Sequence, residues 1–411
     1  MRILVYGLNF WPELTGIGKY TGELADELHR AGHEVRVVTA PPYYPEWRIR
    51  EGYRWYSSET DKGYPVYRCP IWVPARPTGA KRLLHLLSFA LASAPVALKQ
   101  FAWRPHLVWT VEPTLFCLPS ALLTARLARA ASWLHVQDLE LDAAFDLGLL
   151  RGKRRRRLAE RTERSLLRRF GRISTISRSM ASRLSAKLGD GRAIELLPNW
   201  ADIELIAPRD EPSPYRAELG IAADSCVALY SGNMGKKQGL ETLSGAARAI
   251  GDDGEVTFVF CGEGAGREEL VAGCEGLENV RFLPLQPLER LGDLLGLADV
   301  HLLPQRADAE ELVMPSKLTG MLASGRAIVA TAREDSELAE VVGQCGSVVA
   351  PGDSDALAAA ITELAAAPQR RESLGLRARA IAEKSLAKDK ILRSFMKSAR
   401  ELVDQEKSQP H

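Results

Sequence analysis

Residues 310–331 read EELVMPSKLTGMLASGRAIVAT. A polar loop, 310–315, closes at Pro315. Leu318, Met321 and Leu322 then recur at helical spacing over 316–324. Gly325 stops that helix, and residues 327–330 form a short apolar strand. Pro315 has no N–H to lose at a helix start, and Ser316 carries a hydroxyl that can cap it. The unpaired N–H groups there suit an anion such as a diphosphate. Lys317 places a fixed positive charge in the first turn, where the helix dipole opposes one. It costs stability unless an anion sits there. On these residues alone, an ordinary loop–helix–strand unit with a surface lysine reads equally well.

Working outward, the same strand–loop–helix order repeats. Residues 226–231 read as a strand, 232–239 as the loop GNMGKKQG, and 240–250 as a helix. Residues 256–261, then Gly262, Glu263 and Gly264, then a helix from 267, repeat the unit. Further strands are expected at 280–283, 298–303 and 347–350, and helices at 355–366 and 370–383. Such a series builds a doubly wound parallel sheet, which binds ligands at the carboxyl ends of its strands. Three loops fall there: 232–239, 262–264 and 310–316. Lys236, Lys237 and Lys317 can neutralise phosphates in them.

The first half begins with a βαβ unit, strand 2–6, loop 9–18 and helix 19–31. Gly16, Gly18 and Gly22 give G-x-G-x-x-x-G some ten residues beyond the strand, which is not a dinucleotide fingerprint. A glycine loop at the end of the first strand remains. Residues 40–78 are rich in proline and aromatics and are expected to pack beside the sheet. Residues 83–98 are nearly all apolar, flanked by Lys81, Arg82, Lys99 and Arg104. That length suits a buried or interfacial helix rather than a membrane span. The strand at 133–136 ends in Gln137 and Asp138, with His135 and Gln137 on one face. A lone histidine at a strand end is more often satisfied structure than a catalyst. Residues 151–172 hold eleven Lys/Arg against Glu160 and Glu163, in a chain of net charge +2. An anionic membrane surface is the preferred reading. Nucleic acid is not expected, because no aromatic stacking pattern accompanies the charge.

At 411 residues, two or three domains are expected, with an ordinary globular balance of 46% hydrophobic and 26% charged residues. The six cysteines show no C-x-x-C, which excludes zinc and dithiol motifs and suits a reduced, cytoplasmic setting. No signal peptide or spanning run is expected. Residues 199–215, NWADIELIAPRDEPSPY, read as a linker between two sheets, and 389–407 as a charged amphipathic tail helix.

The segments YGLNFWPELTGIGKYTGELADELHRAGHEVRVVT, PPYYPEW, HVQDLELDAAFDLG, LPNWAD, LYSGNMGKKQGLETL, FCGEGAGREEL and VMPSKLTGMLASGRAIVAT run from end to end of the chain. Together they resemble glycosyltransferase family 4, and within it the WcaI-like group of colanic acid and exopolysaccharide synthesis. The resemblance implies an α/β fold of the GT-B type, two Rossmann-like doubly wound parallel-sheet domains facing across a cleft. They would span 1–200 and 216–385, joined by 201–215, with the tail packing back on the first. It implies retaining transfer from a nucleotide-diphosphate sugar without a bound metal or other cofactor. Carried over residue by residue, the donor site falls on Gly16, Gly18, Gly232, Asn233, Lys236, Lys237, Gly262, Gly264, Met314, Pro315, Ser316 and Lys317. Asn233 stands where the family has an arginine, and either Lys236 or Lys237 matches its lysine. Of the family's two glutamates, spaced eight apart, the second falls on Gly320. The first falls near Leu312, with Glu310 and Glu311 just upstream as substitutes. The family's N-domain histidine falls on Gln137, two residues after His135. The catalytic set implied is His135, Gln137, Asp138 and Glu311. The implied partners are the donor, a lipid-linked glycan acceptor and the anionic inner face of the cytoplasmic membrane. A nucleotide-sugar epimerase or hydrolase, or a non-catalytic membrane-docked subunit, are the rival readings.

Overall fold

A computed structural model describes residues 1–13, 16–53, 55–75, 79–112, 115–139, 153–209, 211–235, 238–252, 255–306 and 314–408. The chain divides into two compact units. Unit 1 is Met1–Pro198 with Leu392–His411, and unit 2 is Asn199–Ile391.

Unit 1 is built on eight strands: β1 (Arg2–Gly7), β2 (Glu34–Thr39), β3 (Ser57–Glu59), β4 (Val66–Arg68), β5 (Leu107–Glu112), β6 (Ala131–Val136), β7 (Arg172–Thr175) and β8 (Glu195–Leu196). Their order is β3-β4-β2-β1-β5-β6-β7-β8. Every neighbouring pair is parallel except β3 with β4. The central strands are apolar at successive positions because both faces are covered. On one face lie the helices Gly79–Lys99 and Leu118–Ala128. Tyr6 on β1 reaches both, its hydroxyl 2.7 Å from Ser93 Oγ and 3.1 Å from Ser120 Oγ. The other face belongs to the tail helix Lys388–Ser408, whose Phe395 stacks on Trp133 at 4.8 Å and meets Trp109 edge-on at 5.8 Å. Arg172 donates to the Ser398 carbonyl at 2.8 Å and tethers the tail to β7.

Three features of unit 1 depart from the sequence reading. Helix Gly79–Lys99 runs on through a short 3-10 turn, and residues 79–103 are long and apolar enough to cross a membrane by composition. Its inner face, with Leu86, Phe89, Ala90, Ser93 and Ala97, is nonetheless buried against the unit. The proline- and aromatic-rich segment adds β3 and β4, strands too short to leave a periodic signal. Finally, the helix Lys153–Leu167 is basic, but not all the surrounding charge is free surface. Arg168 binds the Leu188 carbonyl, and Arg172 pairs with Glu195 at 3.2 Å.

Unit 2 holds β9 (Cys226–Ser231), β10 (Val256–Cys261), β11 (Val280–Leu283), β12 (Val300–Leu303), β13 (Ala327–Thr331) and β14 (Gly346–Val349). Their order, β11-β10-β9-β12-β13-β14, is all parallel and turns between β9 and β12. Helices Leu240–Ile250 and Ser354–Ala365 pack Leu243, Ala246, Leu357 and Ile361 on one face. Helices Lys317–Ala323 and Pro368–Ile381 bring Leu318, Met321, Leu322 and Ala378 to a cluster with β13 on the other.

The expected linker at 201–215 is part of unit 2. Ala201 bridges to Ala387, and Ala201 and Ile206 are buried beside Leu295 and Leu318. Arg379 donates to the carbonyls of Ile203 (2.9 Å), Ile206 (2.8 Å) and Ala323 (2.8 Å). Proline and acid residues dominate its composition, but its few apolar side chains find the core.

Candidate functional site

In an open parallel sheet the crevice beyond the turning point of strand order is where a ligand fits. In unit 2 that point lies past the ends of β9 and β12. The chain leaves β9 at Gly232, and two glycine loops close on each other. Met234 N–H donates to the Glu263 carbonyl (2.8 Å), and Gly266 N–H donates to the Met234 carbonyl (2.7 Å). Glycine is required here. A Cβ on Gly262, whose φ is +146°, would stand 1.9 Å from the Gly232 carbonyl oxygen. A Cβ on Gly232 would stand 2.7 Å from Cε of Lys317. Asn233 and Gly264 lie in the same pair of loops.

Lys317 crosses the bare backbone at Gly232. Its ammonium donates to the Tyr230 hydroxyl, to the Asn233 carbonyl (3.1 Å) and to Gln238 Oε1 (3.1 Å). It also stands 4.2 Å from the centroid of the Tyr230 ring. Tyr230 in turn donates to the Asn233 carbonyl at 2.6 Å. Among the described residues the ammonium meets neutral oxygens and no carboxylate. Crowding by protein, with no counter-charge, lowers its pKa to about 7. A cation so placed gains most from an anion that replaces one of its neutral acceptors.

Around it, Pro315 accepts a hydrogen bond at its carbonyl from Leu318 N–H at 3.1 Å, and Met314 packs on the core beneath. The expected cap by Ser316 is corrected. Its backbone is already helical and its hydroxyl makes no cap bond; its carbonyl instead accepts from Thr319 Oγ1 at 2.8 Å. The helix is short, Lys317–Ala323, so Lys317 acts through its side chain rather than through a long dipole. Lys236, Lys237, Glu310, Glu311 and Leu312 lie outside the described residues.

In unit 1 the expected residues separate. His135, expected in the catalytic set, is enclosed in the core of unit 1. The ring is 3% exposed, stacked on Trp109 at 5.7 Å, with Nδ1 2.9 Å from Ser174 Oγ. Burial pushes its pKa down to about 3, so it stays neutral. Trp133 Nε1 donates to the same Ser174 oxygen at 2.8 Å, which frees the serine proton for His135. This is a satisfied core histidine. Gln137 is buried at the end of β6, its N–H on the Glu112 carbonyl. Asp138 is half-exposed and faces Arg82 at 3.7 Å. Gly16, with φ of +60°, opens the helix Gly16–Arg30, so the expected glycine loop is the helix's first turn.

Sequence reasoning missed Glu13. It is 1% exposed and accepts from Tyr43 N–H and Tyr44 N–H (3.0 Å each) and from Asn9 Nδ2 (2.9 Å). Burial raises its pKa. Gly18 passes directly over it, since a Cβ there would meet Glu13 Cβ at 2.7 Å. Buried Arg68 binds the carbonyls of Trp11 and Ala40 (3.1 Å), so the loops after β1 and β2 are tied together at the sheet's carboxyl edge. Apart from Asn9, four residues before Glu13, the partners lie some thirty to sixty residues away, and no local spacing announces them.

Comparison with known proteins fits this geometry. Residues 15–200 match the family described as "Glycosyl transferase 4-like domain", and residues 225–367 match "Glycosyl transferases group 1". The "Putative colanic acid biosynthesis glycosyl transferase WcaI" of Escherichia coli (strain K12) is 40% identical over 412 residues, covering 97% of this chain and 100% of that protein. A "GDP-mannose-dependent alpha-(1-6)-phosphatidylinositol monomannoside mannosyltransferase" of Mycolicibacterium smegmatis is 26% identical over 298 residues, 65% of this chain and 77% of that one. Sucrose-phosphate synthase from Thermosynechococcus elongatus superposes with a TM-score of 0.73 at 18% identity, covering 98% and 100% of the two chains. Anabaena HepE in complex with UDP-glucose gives 0.69 at 19%, with the same coverage. At such identities the solved structures speak for the fold alone. The relative matched over its full length speaks for the family, and the chain belongs to the WcaI-like glycosyltransferases of family 4, on the GT-B fold.

Proposed function

We propose that the chain moves a sugar from a nucleoside diphosphate sugar to a lipid-linked glycan, with retention at the anomeric carbon and without a resident metal. The polymer is an exopolysaccharide of the colanic acid kind, as the name of the Escherichia coli relative suggests. The observation that carries the reading is Lys317, an ammonium with neutral partners only among the described residues, poised over the glycine loop that ends β9. As the bond from sugar C1 to the diphosphate oxygen breaks, negative charge collects on that oxygen and C1 becomes oxocarbenium-like. Fixed cations there stabilise the transition state more than the ground state. Lys317 supplies one, and Lys236 or Lys237 in the same loop supplies another. The acceptor hydroxyl bonds to C1 on the face the diphosphate leaves, and its proton passes to the departing diphosphate. Glu311 holds sugar hydroxyls.

Thermal shift against UDP-, GDP- and dTDP-sugars identifies the donor, since a ligand at 100 times its Kd stabilises by about 2.7 kcal/mol. Labelled donor is then supplied with a lipid-linked acceptor, and the anomeric configuration of the product is read by NMR. Labelled lipid product of retained configuration is expected. Free or epimerised sugar would replace this reading with a hydrolase or epimerase. No shift with any donor and no product would leave a non-catalytic protein.

A further inference from the structure

The helix Gly79–Lys99 covers the sheet of unit 1 with one face and leaves the other bare. Its outward stripe reads Lys81, Leu84, Leu87, Leu91, Pro95, Lys99, apolar residues bracketed by two lysines. Leu84 is 55% exposed and Leu91 is 68% exposed. Helix Leu118–Ala128 packs alongside and adds Leu123 at 45% and Leu127 at 52%. Phe116, just before it, is also exposed. Large apolar side chains gathered on one exposed face need a partner.

Charge says which partner. Between residues 79 and 129 there are six Lys/Arg: Lys81, Arg82, Lys99, Arg104, Arg126 and Arg129. The one acidic residue in that span, Glu112, is buried in β5. Asp138, 3.7 Å from Arg82, offsets one of these cations, and the apolar face bordered by the rest complements anionic lipid headgroups over an acyl layer. A second copy of the face would set like charges against each other. Nor can the helix cross a bilayer without stripping its inner residues, Phe89 and Ala97 among them, from the sheet. The basic helix Lys153–Leu167 is a different surface. Leu158 is its one exposed large apolar side chain among the described residues, so it offers attraction without insertion.

We infer that the outward face of helices Gly79–Lys99 and Leu118–Ala128 is the surface on which unit 1 docks to an anionic bilayer. The inference rests on the reading of a lipid-linked acceptor for its purpose, but its test needs neither donor nor acceptor. Leu84, Leu91, Leu123 and Leu127 enter the headgroup–acyl boundary, and the surrounding Lys and Arg meet phosphates.

Full-length protein is sedimented with phosphatidylcholine vesicles and with phosphatidylcholine–phosphatidylglycerol vesicles at rising salt. Binding is expected to the anionic vesicles only, and to fall with salt. Combining Leu84→Ser, Leu91→Ser, Leu123→Ser and Leu127→Ser should lower it by roughly tenfold or more. Combining Arg154→Ser, Arg156→Ser and Arg157→Ser should lower it less. A second readout does not depend on the fourfold variant folding. An environment-sensitive dye on Leu91→Cys should shift to the blue on anionic vesicles, and the same dye on Glu372→Cys in unit 2 should not; all six native cysteines are buried. Absence of binding to anionic vesicles, equal binding by the fourfold variant, or an unshifted dye at position 91 overturns the assignment. So does a dimer that the fourfold variant abolishes without any lipid binding. Lipid binding without sugar transfer would leave the docking face standing and remove the transfer reading; transfer without lipid binding would do the reverse.

Discussion

Lys317 carries a titration signature that separates its role from that of a surface lysine. Its pKa is lowered from 10.5 to about 7 by burial. Above pH 7 the free protein holds it neutral, and a bound diphosphate restores the charge. Binding of a nucleoside diphosphate should therefore take up a proton above pH 7 and weaken as pH rises. Calorimetry in buffers of different ionisation enthalpy measures that uptake, and Lys317→Met should abolish it while leaving nucleoside binding nearly unchanged. The stability linkage has the opposite slope. Between about 7 and 10.5 the unfolded chain binds the proton and the fold does not, so the penalty for burying this group is full below 7 and disappears as pH rises to 10.5. His135 gives the contrary case. Its ring is neutral and enclosed, so His135→Ala should cost stability, about 1–3 kcal/mol for the unpaired serine alone. Turnover per folded molecule should not change; a loss beyond tenfold at full folding would return the residue to the catalytic set.

At the scale of elements, the proposed donor site depends on two loops that touch backbone to backbone. Gly262→Ala puts a methyl 1.9 Å from the Gly232 carbonyl and strains a positive φ, so the loops after β9 and β10 must part. We expect diphosphate affinity to fall by about tenfold or more, alongside a stability loss of roughly 1–3 kcal/mol. Isothermal titration with a nucleoside diphosphate, paired with denaturant unfolding, reads both. The neighbouring Lys236→Ala with Lys237→Ala should weaken diphosphate binding far more than nucleoside binding, since charged hydrogen bonds are worth about 1.5–3 kcal/mol each. Equal losses for both ligands would place those lysines away from the phosphates. Asn233 fits the same picture. Lys317, eighty-odd residues on, brings an ammonium to its carbonyl.

For the whole molecule, unit 1 is finished by the last stretch of the chain. Phe395 is fully buried on Trp133 and Trp109, so Phe395→Ala should destabilise unit 1 by about 3–5 kcal/mol. Removing residues 392–411 should do more, exposing two tryptophans to water. Tryptophan emission and limited proteolysis check this; a truncated chain with native emission and protease resistance would show that the tail is dispensable.

The parallel strands of both sheets and the glycine loops were legible in the sequence, because strand–glycine–helix order and apolar runs are local signals; the antiparallel β3–β4 pair was not. β9, β10 and β11 stand where the pattern put them. The sequence also marked Lys317 from the conflict between a cation and a helix start. Only the tertiary structure decided what surrounds each group. It enclosed His135 between Ser174 and Trp109, drew 201–215 into unit 2, and engaged Arg168 and Arg172 with backbone carbonyls. It brought Glu13 to the amides of Tyr43 and Tyr44, and it turned four leucines outward on two neighbouring helices. Burial and partnership are sums over residues far apart in the chain, and local spacing carries no record of them.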